Sequence, residues 1–223
     1  MVLLRRRLLA EFLGTLLLVS VVVGSGIAAS RLSPEDRGLQ LLENALATAL
    51  GLFVLISVLA PISGAHLNPV VSLVDAALGH RLWTDAAAYL PAQVVGAAVG
   101  AVLANLMFGL PAATVSTNER LTLDHALAEV VATAGLVVVV FVLARTGRAT
   151  WTPAAVAAWI GSAYFFTSST AFANPAVTLG RMLSDTFAGI APLSALGYVA
   201  AQLVGAAVGL GVVVALVGRQ TPT

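Results

Sequence analysis

The sequence predicts an all-α membrane protein of six transmembrane helices plus two re-entrant half-helices, folded as an inverted repeat. Three observations carry that expectation. The chain is 59% hydrophobic and 9% charged, with a mean hydropathy of +0.99, far from the roughly 45–50% apolar and 25% charged of a soluble domain. Six of its apolar runs are long enough to cross a bilayer, while two others, each opened by Asn-Pro, are too short. The third observation is that the two halves resemble each other. No linker or composition shift divides the 223 residues, so 1–223 reads as a single domain whose repeats run over about 1–110 and 118–223.

In chain order the first element is Leu8 to Ala29. Its flanks, MVLLRRR before it and small residues near Ala28 and Ala29, imitate a secretory signal. Glu11 interrupts the apolar run and has a counterpart in the second half, so the segment is read as a permanent span. Glu43 to Ile62 is the second span. Asn68 to Leu78 follows, and at 1.5 Å per residue it reaches only about 15 Å, half of a ~30 Å hydrocarbon core. Asn68 is placed as an N-cap with Pro69 in the first helical position, where the missing proline N–H costs nothing. Trp83 to Leu110 completes the first half. The second half repeats the order with His125 to Ala144, Trp151 to Thr170, a short run from Asn174-Pro175 to Leu183, and Pro192 to Val217.

The repeat is explicit in the residues. YLPAQVVGAAVG from Tyr89 and YVAAQLVGAAVG from Tyr198 agree at nine of twelve positions, AEFLGT from Ala10 pairs with AEVVAT from Ala128, and HLNPVVSL from His66 pairs with FANPAVTL from Phe172. The offsets are 109, 118 and 106 residues, so the copies keep one order. Composition alone does not bring Glu, Gln and Asn-Pro back in register. Three spans per half is an odd number, so the second copy enters the membrane upside down, and the two half-helices enter from opposite faces and meet near the midplane. Non-helical backbone at that depth is tolerated only where it is buried in protein or lines water. Gly96, Gly100, Gly205 and Gly209 form G-x-x-x-G in both copies and are read as helix-crossing sites. Seven arginines (Arg5, Arg6, Arg7, Arg81, Arg145, Arg148 and Arg219) fall on one side, against Arg31, Arg37, Arg120 and Arg181 on the other. That asymmetry places both termini in the cytoplasm.

GAHLNPV and FANPAV, with Glu11 and Glu129 early in each half, closely resemble the paired Asn-Pro-Ala motifs and buried glutamates of the aquaporin family, the major intrinsic proteins. The resemblance covers nearly the whole chain. It implies an aquaporin-like bundle, a homotetramer with one pore per subunit in the plasma or inner membrane, and a passive channel for water and small uncharged solutes. Pro69, Val70, Pro175 and Ala176 complete the two motifs, Val70 replacing the usual alanine. Asn68 and Asn174 are expected to cap their helices with oxygen and offer N–H₂ donors to the pore, while carbonyls around 64–67 and 170–173 supply acceptors. Each half-helix carries roughly +0.5 charge at its N-terminus, which repels cations and hydronium. Glu11 and Glu129 are expected to anchor the re-entrant loops, with His66 as a partner for Glu129.

The family's spacing places the selectivity filter at Thr48, Ser162, Ala171 and Val177. Most members carry arginine at the last of these positions. Valine there, among small and medium residues, implies a wide mouth without a fixed cation, open to glycerol, urea-sized molecules and undissociated metalloid hydroxides such as arsenious acid. Arg181, one turn beyond Val177, lies on the same helical face and within reach of that mouth.

Other classes fit less well. An ion- or proton-coupled secondary transporter, with Glu11 or Glu129 as the coupling group, shares inverted repeats and broken helices. His80 and His125 read as interfacial, and three scattered histidines give no metal-ligand spacing. With no cysteine and no nucleophile-base pair, neither an enzyme nor a cofactor is expected. A formal charge of +1 offers no footprint for nucleic acid.

Overall fold

The computed structural model describes residues 2–218. Eight α-helices run in the order α1 (Leu4–Leu32), α2 (Arg37–Ser63), α3 (Pro69–Ala77), α4 (Trp83–Met107), α5 (Leu123–Arg145), α6 (Thr152–Phe166), α7 (Pro175–Arg181) and α8 (Pro192–Val217). The short helices α3 and α7 are the two Asn-Pro runs, nine and seven residues long. Arg219, assigned above to the cytoplasmic side, lies outside the described residues.

Five of the long helices are long and apolar enough to cross a membrane. The sixth, α6, is shorter than the run 151–170 implied. It has 15 residues, preceded by a 3-10 turn at Ala149–Trp151, and it stops at Phe166. The polar stretch 167–170 leaves the helix there to begin the second re-entrant loop, and its buried members find partners inside the protein. Thr167 Oγ1 donates back to the Ala163 carbonyl at 2.7 Å and Ser169 Oγ donates to Glu129 at 2.6 Å.

The bundle is assembled by close crossings at small residues. A Cβ built on Gly96 or Gly100 would fall 2.4 or 2.2 Å from the carbonyl oxygens of Phe12 and Leu16. The corresponding distances from Gly205 and Gly209 are 2.6 Å to the Val130 oxygen and 2.8 Å to that of Ala134. Helix α4 therefore lies against α1 as α8 lies against α5, backbone on backbone, as expected from G-x-x-x-G in both copies. Large apolar side chains such as Leu46, Leu50, Phe53, Val58, Leu127, Val204 and Val208 remain on the outside, where hydrocarbon in place of water makes their exposure favourable. The protein is an integral membrane protein.

Candidate functional site

The two half-helices are held tip to tip by reciprocal bonds. Asn68 Oδ1 accepts from Val70 N at 3.1 Å, and Asn174 Oδ1 accepts from Ala176 N at 3.0 Å and Val177 N at 3.2 Å, so each side chain caps its own helix. Each Nδ2 crosses to the other loop: Asn68 donates to the Ala173 carbonyl at 2.8 Å and Asn174 to the Leu67 carbonyl at 2.7 Å. One N–H of each amide is thereby used, and the other remains for a passing molecule. Pro69, Val70, Pro175 and Ala176 are all buried behind the two amides.

The loops that deliver these tips are strained in the same way. Gly64, Ala65 and Leu67 have φ of 94°, 48° and 49°, and their repeat equivalents Thr170, Ala171 and Ala173 have 63°, 50° and 46°. Left-handed backbone at a non-glycine residue costs on the order of 1–3 kcal/mol and persists only where the surroundings enforce it. The enforcers are the two buried glutamates. Glu11 Oε1 accepts from Ser63 Oγ and His66 N, and its Oε2 from Leu67 N and Gln93 Nε2, all between 2.6 and 3.0 Å. Glu129 repeats the set with Ser169 Oγ, Phe172 N, Ala173 N and Gln202 Nε2, between 2.6 and 2.9 Å. Every carboxylate oxygen is occupied twice. As a result the carbonyls of Gly64, Ala65 and His66, and of Thr170, Ala171 and Phe172, receive no hydrogen bond from the described residues.

A cavity of about 80 Å³ runs past both amides, and a single water needs about 10–15 Å³ on this measure. Its walls include Asn68, Asn174, the loop residues Gly64 to Leu67 and apolar side chains of α1, α2, α5 and α6. Beyond it a polar vestibule of about 940 Å³ opens on the side of the α1–α2 and α4–α5 connections.

Between cavity and vestibule the structure departs from the expected filter. Thr48, Ala171 and Val177 line the cavity, but Ser162 does not. Ser162 is exposed on the outside of α6 with its hydroxyl turned onto the Trp159 carbonyl at 2.8 Å. The inward face of α6 is Val156, Ile160 and Tyr164, a spacing of four that leaves Ser162 on the far side of the helix. Tyr164 faces the cavity where Ser162 does not, and its hydroxyl meets Thr48 Oγ1 at 3.1 Å.

The mouth also has a fixed cation, contrary to the reading from Val177. Arg181 is 3% exposed and borders both cavity and vestibule. Its guanidinium lies 3.4 Å from the Phe172 ring centroid, and its Nε donates to the Ala188 carbonyl.

His66 does not pair with Glu129. Its ring packs within its own repeat, with Nδ1 2.9 Å from Ser72 Oγ and Nε2 3.3 Å from Asp75, while its backbone N–H serves Glu11. Arg81, which the sequence left as a charge in a loop, joins this group through Asp75 at 2.9 Å, Tyr89 at 2.9 Å and the Ser63 carbonyl at 3.1 Å. His80 also faces Asp75, at 3.3 Å, and His125 Nδ1 lies 2.5 Å from the Arg120 carbonyl.

A cavity that runs past two paired amides and a row of free carbonyls inside an apolar bundle fits a membrane channel. Comparison with known proteins agrees. Residues 1–172 match the family described as Major intrinsic protein. The chain is 48% identical over 203 residues to "Aquaglyceroporin AqpS" of Rhizobium meliloti (strain 1021), covering 91% of this chain and 86% of that one. It is 31% identical over 221 residues to "Aquaporin NIP6-1" of Arabidopsis thaliana, covering 92% and 67%. Its fold matches the aquaglyceroporin from Plasmodium falciparum with a TM-score of 0.70 at 24% identity, over 95% of this chain and 94% of the other. The chain belongs to the major intrinsic protein family, the aquaporins, and is a channel, not an enzyme. A coupled transporter is not favoured, since each glutamate is consumed by four structural hydrogen bonds.

Proposed function

We propose that this channel passes water and small uncharged solutes: glycerol, urea-sized molecules and undissociated metalloid hydroxides such as arsenious acid. The observation that carries the proposal is the pair of facing asparagines, each bonded to the other's loop and each bordering the cavity. Two donors at the constriction and single files of free carbonyls on either side replace the hydration of a neutral hydroxyl compound. A cation meets instead the positive ends of both half-helices. The 48% identical relative named "Aquaglyceroporin AqpS" supports a solute range wider than water.

The outer mouth supports it too. Val177 leaves unfilled the place where most of the family carries arginine, while Phe172 and Tyr164 present ring surface and Arg181, Thr48 and the Tyr164 hydroxyl present polar groups. A polyol, with a C–H face and a hydroxyl edge, is matched by such a mixture. The residues of the filter are thus Thr48, Tyr164, Ala171 and Val177 with Arg181 behind them. The two repeats, about 1–110 and 118–223, form one channel unit that assembles as a homotetramer in the cell membrane, with both termini in the cytoplasm.

Reconstituted protein tests this reading through stopped-flow permeabilities for water, glycerol and arsenious acid, compared with Val177→Arg. The variant is expected to keep water flow and to lose at least about tenfold of glycerol flow, since a guanidinium in the gap removes both width and apolar surface. Water flow with no passage of either larger solute in the natural chain would refute the solute range. Uphill accumulation driven by a pH gradient would refute passive conduction.

A further inference from the structure

Two arginines share the Phe172 ring. Arg181 Cζ lies 3.4 Å from its centroid and Arg120 Cζ lies 5.7 Å from it. Three successive carbonyls tether the pair: Arg120 donates from Nε to Gly189 and from Nη2 to Phe187, both at 2.7 Å, and Arg181 donates from Nε to Ala188 between them. Neither guanidinium has a carboxylate within ion-pair distance among the described residues. Both line the vestibule, and Nη1 of Arg120 and the two Nη of Arg181 have no protein acceptor yet are not sealed from it.

The repeat shows how unusual this is. At the offset of 106 residues that relates the Asn-Pro motifs, the counterpart of Arg181 is Asp75, and on the inner side Asp75 is neutralised by Arg81 at 2.9 Å with His66 and His80 beside it at 3.3 Å. On the outer side Arg120 and Arg181 have no such partner, although Arg37, Glu119 and Asp185 line the same vestibule. Carbonyl dipoles and a ring face offset part of the cost of burying a cation, but two like charges add repulsion to it. The carboxylates of the same vestibule do not resolve the imbalance. Asp185 is engaged by Thr117 N at 2.9 Å and Thr117 Oγ1 at 3.1 Å, and Glu119 bonds neither arginine. Burial lowers the pKa of Arg120 from its ordinary value, the direction expected for a cation in want of a partner.

We propose that Arg181 and Arg120 form an anion site in the outer vestibule that takes one small oxyanion, a carboxylate, phosphate or sulfate, at the point where the vestibule narrows into the pore, and that occupancy slows the entry of neutral solutes. The planar fork of arginine matches such oxygens in two-point contact, and Arg181 borders both compartments, so an anion held there stands across the path. The flux part rests on the channel reading; the binding part does not.

The test uses the purified full chain with sodium sulfate against sodium chloride at equal ionic strength. Calorimetry and thermal unfolding read binding, and stopped-flow in vesicles reads glycerol entry. The natural chain is expected to bind sulfate saturably, with a raised Tm and glycerol flux at least halved at saturation. Arg120→Gln, which lines the vestibule and not the pore cavity, is expected to weaken half-saturation by about tenfold or more, with Arg120→Lys in between. Equal responses to sulfate and chloride in the natural chain would overturn the site even if Arg120→Gln fails to fold. So would undiminished saturable binding in a folded Arg120→Gln. Saturable binding with unaltered glycerol flux would overturn the placement at the mouth. Binding lost in Arg120→Gln, alongside an absence of any flux in all proteins, would uphold the anion site and refute the channel reading instead.

Discussion

Replacing Glu129 with glutamine changes few atoms and should disable the second re-entrant loop. The carboxylate is fully buried and takes four donors, two per oxygen. Whichever way an amide is turned, its NH₂ faces two of those donors, so two bonds are lost and two buried N–H or O–H groups are orphaned. Hydrogen bonds to a charged group are worth about 1.5–3 kcal/mol each, which puts the loss at roughly 3–6 kcal/mol. Thr170, Ala171 and Ala173 together store strain of similar size, at about 1–3 kcal/mol per left-handed residue. With half the restraint gone, the loop has every reason to relax and withdraw the Ala173 carbonyl from Asn68 and the Asn174 amide from the cavity. Stopped-flow water permeability per reconstituted protein is expected to fall at least about tenfold, the effect of some 1.4 kcal/mol, with a lower Tm. Glu11→Gln should match it, since the two sites are superimposable in their bonds. Glu129→Gln with unaltered permeability and Tm would refute this reasoning, and a variant that conducts normally but loses a pH-driven uptake would show the glutamate to be a proton carrier.

Gly100→Ala places a methyl 2.2 Å from the Leu16 carbonyl oxygen, in contact with backbone that cannot swing aside; overpacking of this kind costs about 1–3 kcal/mol and should appear as a lowered Tm in detergent. Tyr164→Ala removes both a ring from the mouth and the 3.1 Å contact with Thr48, and should raise entry of solutes larger than glycerol in swelling assays, whereas Ser162→Ala, on the outer face of the same helix, should leave selectivity as it was.

What could be read from the residues follows from what kind of information they carry. Length and capping were enough for α3 and α7, because Asn-Pro can open a helix but cannot continue one, and no nine-residue helix crosses a bilayer. The recurrence of Glu, Gln and Asn-Pro in register anticipated a shared bonding scheme, and the two loops repeat it bond for bond. The filter was less legible. Counting back from Asn174 to Ser162 assumes a fixed connection between α6 and the motif, but α6 ends at Phe166 and its inward face is set by Val156 and Ile160, which bring Tyr164 round in place of Ser162. A spacing of four in those apolar residues was the available signal. The cation at the mouth was legible in the spacing of Arg181 from Val177 but not in Val177 itself, which shows only what is missing at one backbone position, while a long side chain delivers its charge a turn away from its own Cα. His66 went to Asp75 because a ring beside its own half-helix finds partners there before it can reach the other copy.

The reciprocal grip of Asn68 and Asn174 has a consequence for biogenesis. Each amide is completed by a carbonyl 105 or 107 residues distant in the chain, so while the ribosome is still delivering the second half, the first has a polar tip in hydrocarbon with nothing to hold. Inserting the leading three spans therefore leaves an unfinished intermediate that the translocon or nearby water must shelter, and maturation ends only when the inverted copy arrives to close the clasp from the opposite leaflet.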